Sequence, residues 1–233
     1  MPALEAETGY LDALVAALRR LLGSDLVGVY AGGSYALGGY EPGRSDLDVA
    51  AVTEGFVARS RLTAVAKAVR HDSLPCPARG LELVVYPLGR VRVPTVAPGF
   101  LHNVNTGAGM RERVDYEPVA GERHWFAVDR SVLARHGVAL AGPPAKEVFA
   151  EPPRAELRRL LADSLRWYLR EAPGDESGVL NAWRSLHFAR RGEWLAKPAV
   201  RVEALAALAR AGSAEALLRE AVAELDVTSP DAA

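Results

Sequence analysis

Gly32-Gly33-Ser34-Tyr35-Ala36-Leu37-Gly38-Gly39-Tyr40-Glu41-Pro42-Gly43-Arg44-Ser45-Asp46-Leu47-Asp48-Val49 joins a glycine-rich turn to a pair of carboxylates two residues apart. The runs on either side, Leu26-Val27-Gly28-Val29-Tyr30 and Asp48-Val49-Ala50-Ala51-Val52, read as strands. Residues at i and i+2 of a strand share a face, so Asp46 and Asp48 are expected to project together. Two anionic side chains on one side need a cation. The simplest is Mg²⁺, a hard ion usually held by one or two carboxylates plus substrate phosphates. Gly32 and Gly33 let backbone N–H groups approach a phosphate with no Cβ in the way, and Ser34 offers a hydroxyl and a helix start. The segment reads as a nucleotide-and-metal site.

Either half alone is commonplace: Gly-Gly-Ser is often a flexible turn, and Asp-x-Asp is often a solvated strand end. Joined in this order and spacing, Gly33, Ser34, Ser45, Asp46 and Asp48 resemble the glycine-serine then Asp-x-Asp signature of the nucleotidyltransferase superfamily. Its small bacterial members include enzymes that adenylylate aminoglycoside antibiotics. The resemblance implies ATP as co-substrate, two Mg²⁺ ions at Asp46 and Asp48, and triphosphate contacts from Gly33, Ser34 and Ser45. It also calls for a third carboxylate on a neighbouring strand. Leu81-Glu82-Leu83-Val84-Val85-Tyr86 supplies one acid inside an otherwise apolar run. A charge there is costly unless it is paired, ligates metal or faces a wet cleft. The plainer reading is a glutamate on the solvent face of an edge strand. The resemblance gives Glu82 the role of base toward the acceptor hydroxyl, with metal ligation as the competing role.

Composition narrows the class without naming it. The 233 residues are 49% hydrophobic and 24% charged, enough for one sizeable core or two modest ones. Lys+Arg 28 against Asp+Glu 29 leaves a net charge of -1, so no polybasic surface for bulk nucleic-acid binding is expected and a general polymerase is disfavoured. The one cysteine, Cys76 in Leu74-Pro75-Cys76-Pro77, reads as a loop residue. His71, His102, His124, His136 and His187 show no metal-ligand spacing. No long apolar run or leader is apparent near Met1, from which a soluble, cytoplasmic protein with no membrane partner is expected.

Along the chain, a helical stripe from Tyr10 to Leu22 ends near Gly23, Val57 to Val69 reads as another helix, and Leu81 to Tyr86 as the third strand. Val91 to Val93, Phe100 to Val104 and Val138 to Leu140 are candidate short strands, and Trp125 to Leu133 a helix. After Gly142-Pro143-Pro144 the texture becomes helical, with stripes at Leu157 to Tyr168, Val179 to Phe188, Val202-Leu205-Leu208 and Leu217 to Leu225. The expected architecture is an α/β (α+β) nucleotidyltransferase domain with a mixed sheet over residues 1–145, followed by a small all-α helical bundle over residues 146–233. The active site is expected in the cleft between them, and Ser229 to Ala233 as a frayed tail.

The second half resembles the streptomycin/spectinomycin adenylyltransferases. The run from His136 to Pro143 is similar to the segment joining their two domains. Val179-Leu180-Asn181-Ala182-Trp183-Arg184 and Gly192-Glu193-Trp194-Leu195-Ala196-Lys197 resemble the helix pair from which an arginine and a lysine reach the ATP phosphates. The resemblance therefore implies nucleotide contacts from Arg184 and Lys197, against the plainer reading of solvated helix residues and core tryptophans. Trp167, Asp175 and Glu176 fall where those enzymes present aromatic and acidic groups to a cationic sugar. The substrate-touching tryptophan that follows their base-bearing strands has no counterpart in Phe100 to Gly107. The expected function is Mg²⁺-dependent transfer of AMP from ATP to a hydroxyl of a small, cationic, sugar-containing acceptor by a monomer, in antibiotic modification. The alternatives are a protein or tRNA acceptor, or a catalytically silent nucleotide-binding module.

Overall fold

The computed structural model describes residues 5–118 and 123–227; the expectation for Ser229 to Ala233 lies outside them. In chain order the elements are α1 (Glu5–Leu22), β1 (Leu26–Ala31), α2 (Gly33–Ala36), β2 (Leu47–Thr53), α3 (Arg59–Val69), β3 (Leu81–Pro87), α4 (Leu88–Val91), β4 (His102–Gly107), β5 (Met110–Asp115), α5 (Arg123–His136), β6 (Val138–Ala141), α6 (Ala145–Val148), α7 (Arg154–Glu171), α8 (Glu176–Arg191), α9 (Lys197–Ala211) and α10 (Ala214–Asp226).

The strands form one six-stranded sheet in the order β5-β4-β3-β2-β1-β6. β2 and β3 run parallel, joined through α3, while the other pairs are antiparallel. This is the mixed sheet expected. Its core face follows from the two-residue period of a strand: Leu47, Val49 and Ala51 on β2, and Leu81, Leu83 and Val85 on β3, are buried against the apolar stripes of α1 and α3. Leu14 and Leu18 of α1 and Val65 and Val69 of α3 are fully buried there. Truncating either leucine to alanine would cost about 2–5 kcal/mol. With the odd-numbered residues committed to the core, Asp48 and Glu82 must point to the opposite face.

By contacts among its residues the chain divides into two compact units. The first holds the described residues of Met1–Pro94, Pro98–Pro118 and Asp129–Glu151; the second holds those of Thr95–Ala97, Val119–Val128 and Pro152–Ala233. Within the second, α10 packs on α7 and α8, and α8 packs on α9. Leu157, Leu161 and Leu165 of α7, Val179 and Leu186 of α8, and Leu217, Leu218 and Leu225 of α10 are buried.

Three local readings need correction. Val91 to Val93 is not a strand: α4 runs to Val91, and Val93, next to Pro94, is 51% exposed. β5, Met-Arg-Glu-Arg-Val-Asp, escaped notice because its charges mask the alternation. On α9 the stripe at Val202, Leu205 and Leu208 is not the packed one. Val202 and Leu205 are exposed, and the helix buries Val200, Ala204 and Ala207 instead. Small residues let α9 approach its neighbours closely, so the larger side chains do not mark the contact face.

Candidate active site

The glycine-rich turn is held in place from α1. The Tyr40 hydroxyl donates to Glu7 at 2.9 Å, and Tyr35 and Tyr40 meet edge to face, both packed against the core. The Gly32 N–H donates to the Asp48 carbonyl at 2.8 Å, which draws the turn onto β2. Gly33 follows with φ +48°, and a Cβ placed on it would lie 1.6 Å from Asp48 Oδ2. Two separate demands therefore require glycine here: the left-handed backbone and the carboxylate packed against its Cα. The Ser34 hydroxyl is buried with no hydrogen-bond partner. The Ser45 hydroxyl accepts from the Glu41 N–H at 3.0 Å, which closes the loop ahead of Asp46 and leaves its own proton to donate.

Asp48 and Glu82 are direct partners in the parallel β2–β3 register, and Asn105 of β4 lies directly across from Glu82. Asp48, Glu82 and Asn105 thus form a row across one face of the sheet, with Asp46 at the entry to β2 two residues before Asp48. Asp46 is ion-paired with the Arg79 guanidinium. The Glu82 carboxyl is held well above the usual glutamate range, chiefly by burial and then by the charges of Asp48, Asp46 and Asp129, with Arg79 opposing. The sheet thus brings together the three acids expected from sequence.

Among the described residues no group of three or more His, Cys, Asp or Glu is gathered as a metal cluster. Mg²⁺ does not require one, since it binds through one or two carboxylates and completes its shell with phosphate and water. Asp46 and Asp48 fit that use. The unpartnered Ser34 hydroxyl fits a phosphate oxygen.

Three neighbours were missed in the sequence. Arg79 sits three residues before Glu82, and a cation so close to a lone strand acid was the available signal. Asp129 lies on α5 and carries no local sign of its proximity to Glu82. Asn105 carries a buried carbonyl oxygen without a partner, and only strand pairing places it beside the acid.

The remaining expected residues lie in the helical unit. Arg184 donates to the Leu195 carbonyl at 2.6 Å and to Asn181 Oδ1 at 3.3 Å, so the link to the loop between α8 and α9 fixes its side chain. Lys197 is half-buried at the first turn of α9. Trp194 stacks on Phe188 with centroids 4.2 Å apart and is 4% exposed, a core residue, while Trp183 donates to Glu203 at 2.9 Å. Trp167 meets Trp125 and Tyr168 edge to face. Asp175 caps α8 by accepting from the Ser177 N–H at 2.9 Å, and Glu176 pairs with Arg201. Both acids proposed for the acceptor therefore also serve local structure.

No helix among the described residues is long and apolar enough to cross a membrane. Residues 11–87 match the family model of the nucleotidyltransferase domain, a stretch that contains the turn, Asp46, Asp48 and Glu82. No curated protein matches the chain by sequence. Among solved structures it is similar to spectinomycin adenyltransferase AAD(9) from Enterococcus faecialis, crystallised with ATP and spectinomycin, at 16% identity and a TM-score of 0.64 over 95% of this chain and 90% of that one. With its acids in register across the sheet, the chain carries a nucleotidyltransferase domain over residues 11–87 and is an enzyme of that class, resembling the aminoglycoside adenylyltransferases in fold.

Proposed function

We propose that the enzyme transfers AMP from ATP to a hydroxyl of a small, cationic, sugar-containing acceptor and releases pyrophosphate. The observation that carries this reading is the pairing of Asp48 with Glu82 on adjacent parallel strands, beside a turn whose Ser34 hydroxyl is buried without a partner. Two Mg²⁺ ions held by Asp46 and Asp48 would neutralise charge on the α-phosphate and the leaving pyrophosphate. Ser34 and Ser45 donate to triphosphate oxygens, and Gly33 keeps the approach clear. Arg184 and Lys197 add positive charge to the triphosphate.

Glu82, its carboxyl raised by burial and neighbouring acids, takes the acceptor's proton. The acceptor oxygen bonds to the α-phosphorus while the bond from that phosphorus to the β-bridging oxygen breaks, and the electron pair leaves with pyrophosphate. Trp167, Asp175 and Glu176 face the cationic sugar, in keeping with the spectinomycin bound by the similar structure. We place the reaction in the cytoplasm, where ATP is supplied, and in a monomer.

The test is pyrophosphate release from ATP and Mg²⁺ with a panel of aminoglycosides and spectinomycin, using Asp48→Asn as control. Release that depends on both acceptor and Asp48 supports the reading. Release with tRNA or a protein acceptor alone moves the activity to another substrate class, and Mg·ATP binding with no release under any acceptor makes the chain a silent binding module.

A further inference from the structure

Asp48 and Glu82 on one face of the sheet and Asp46 at the entry to β2 repel one another, and Arg79 is the side chain that answers them. Its guanidinium pairs with Asp46, and the charges of Glu82 and Asp48 also act on it. The backbone fixes where that side chain starts. The Arg79 N–H donates to the Ser45 carbonyl at 3.1 Å, and its own carbonyl accepts from the Gly109 N–H at 2.9 Å. Gly109 leaves room for the stem, since a Cβ there would lie 2.8 Å from Arg79 Cγ. The far end is not confined in this way: the side chain is 48% exposed against 24% for Asp46. An arginine anchored at its root and open at its tip can exchange partners.

We propose that Arg79 is a further nucleotide-binding residue that works by exchange: its guanidinium releases Asp46 to a divalent cation and turns to the triphosphate that arrives with it. This rests on the nucleotidyl-transfer reading and adds a residue to it. The planar fork of arginine matches carboxylate and phosphate equally well, so the same donors serve both partners. While paired with Asp46, the guanidinium competes with a cation for the same oxygens. After the exchange it neutralises phosphate charge, as phosphoryl-type transfer demands.

The two halves of the exchange predict opposite signs for one substitution, which loss of local structure would not produce. In the full-length chain, Mn²⁺ affinity without nucleotide is read from the electron paramagnetic resonance signal of free Mn²⁺, and Mg·ATP affinity by calorimetry. Arg79→Ala should bind Mn²⁺ alone several-fold more tightly and Mg·ATP roughly tenfold more weakly, the loss of one charge-assisted contact. Arg79→Lys, which keeps the charge without the fork, should fall between wild type and alanine in both measurements. Weaker or unchanged Mn²⁺ binding in Arg79→Ala would show that Arg79 does not compete for Asp46. Unchanged Mg·ATP binding would show that it never reaches the phosphates. Either result overturns the proposal. A wild-type chain that binds no Mg·ATP removes the nucleotide reading and the proposal with it.

Discussion

A glutamate must lose its own proton before it can take one from a hydroxyl, so the environment of Glu82 sets the acid limb of the reaction. Without metal, burial and the charges of Asp48, Asp46 and Asp129 raise its carboxyl, and cations held at Asp46 and Asp48 oppose that rise. Asp129→Asn removes one of the raising charges. The limb should then move to lower pH in a profile of kcat/KM, while a limb that stays in place would show that Asp129 does not act on the base. Glu82→Gln keeps the shape and loses the base: turnover should fall about 10²–10⁴-fold with Mg·ATP affinity retained by calorimetry. Loss of that affinity would make Glu82 chiefly a metal ligand. The same group couples folding to pH. Because its folded value is raised, the stability Glu82 draws from protonation is present below the ordinary glutamate pKa and is lost as pH rises through the folded value. Without ligands, Glu82→Gln should therefore melt higher than wild type at neutral pH, and the difference should close in acid.

At the scale of elements, the turn between β1 and β2 depends on the absent side chain of Gly33, whose place the Asp48 carboxylate fills. Gly33→Ala would force a left-handed backbone onto alanine and push the Asp48 carboxylate aside. Mg·ATP binding should be lost while the circular dichroism of the sheet remains, and wild-type binding would refute the role of this turn. β1, β2 and β3 were legible in the sequence because buried strands next to turn residues are apolar and short, and the acids stood out against that background. Asp46 and Asp48 were named by their spacing after the glycine-serine turn, and Glu82 by the third carboxylate that the resemblance calls for. α9 misled because a helix packed through alanines exposes its larger residues, so the apolar stripe and the contact face part company. Asn105 and Asp129 were not legible, since each owes its place to strand pairing or to a helix brought in from far along the chain, whereas Arg79 was marked only by its closeness to Glu82.

For the whole molecule, the proposed chemistry draws Arg184 and Lys197 from the helical unit and the acids from the sheet unit, so nucleotide binding should depend on both. Removing either cation should weaken the ATP complex by about 1.5–3 kcal/mol, measured by calorimetry, for a charge-assisted contact to phosphate. Arg184 also donates to the Leu195 carbonyl, so its loss costs stability as well. Unchanged affinity in both would leave the helical unit to the acceptor alone. The sheet has a further consequence for how copies of the molecule meet. Among the described residues it ends at β5, with no strand beyond it, and an edge of this kind is a template for another chain. β5 spells Met-Arg-Glu-Arg-Val-Asp, with Arg111 and Glu112 exposed and Arg70 paired to Glu112 at 2.9 Å. A second copy docking there in β-fashion would have to desolvate that row of charges. The charges that hid β5 from pattern reading therefore disfavour growth of the sheet into a neighbouring copy.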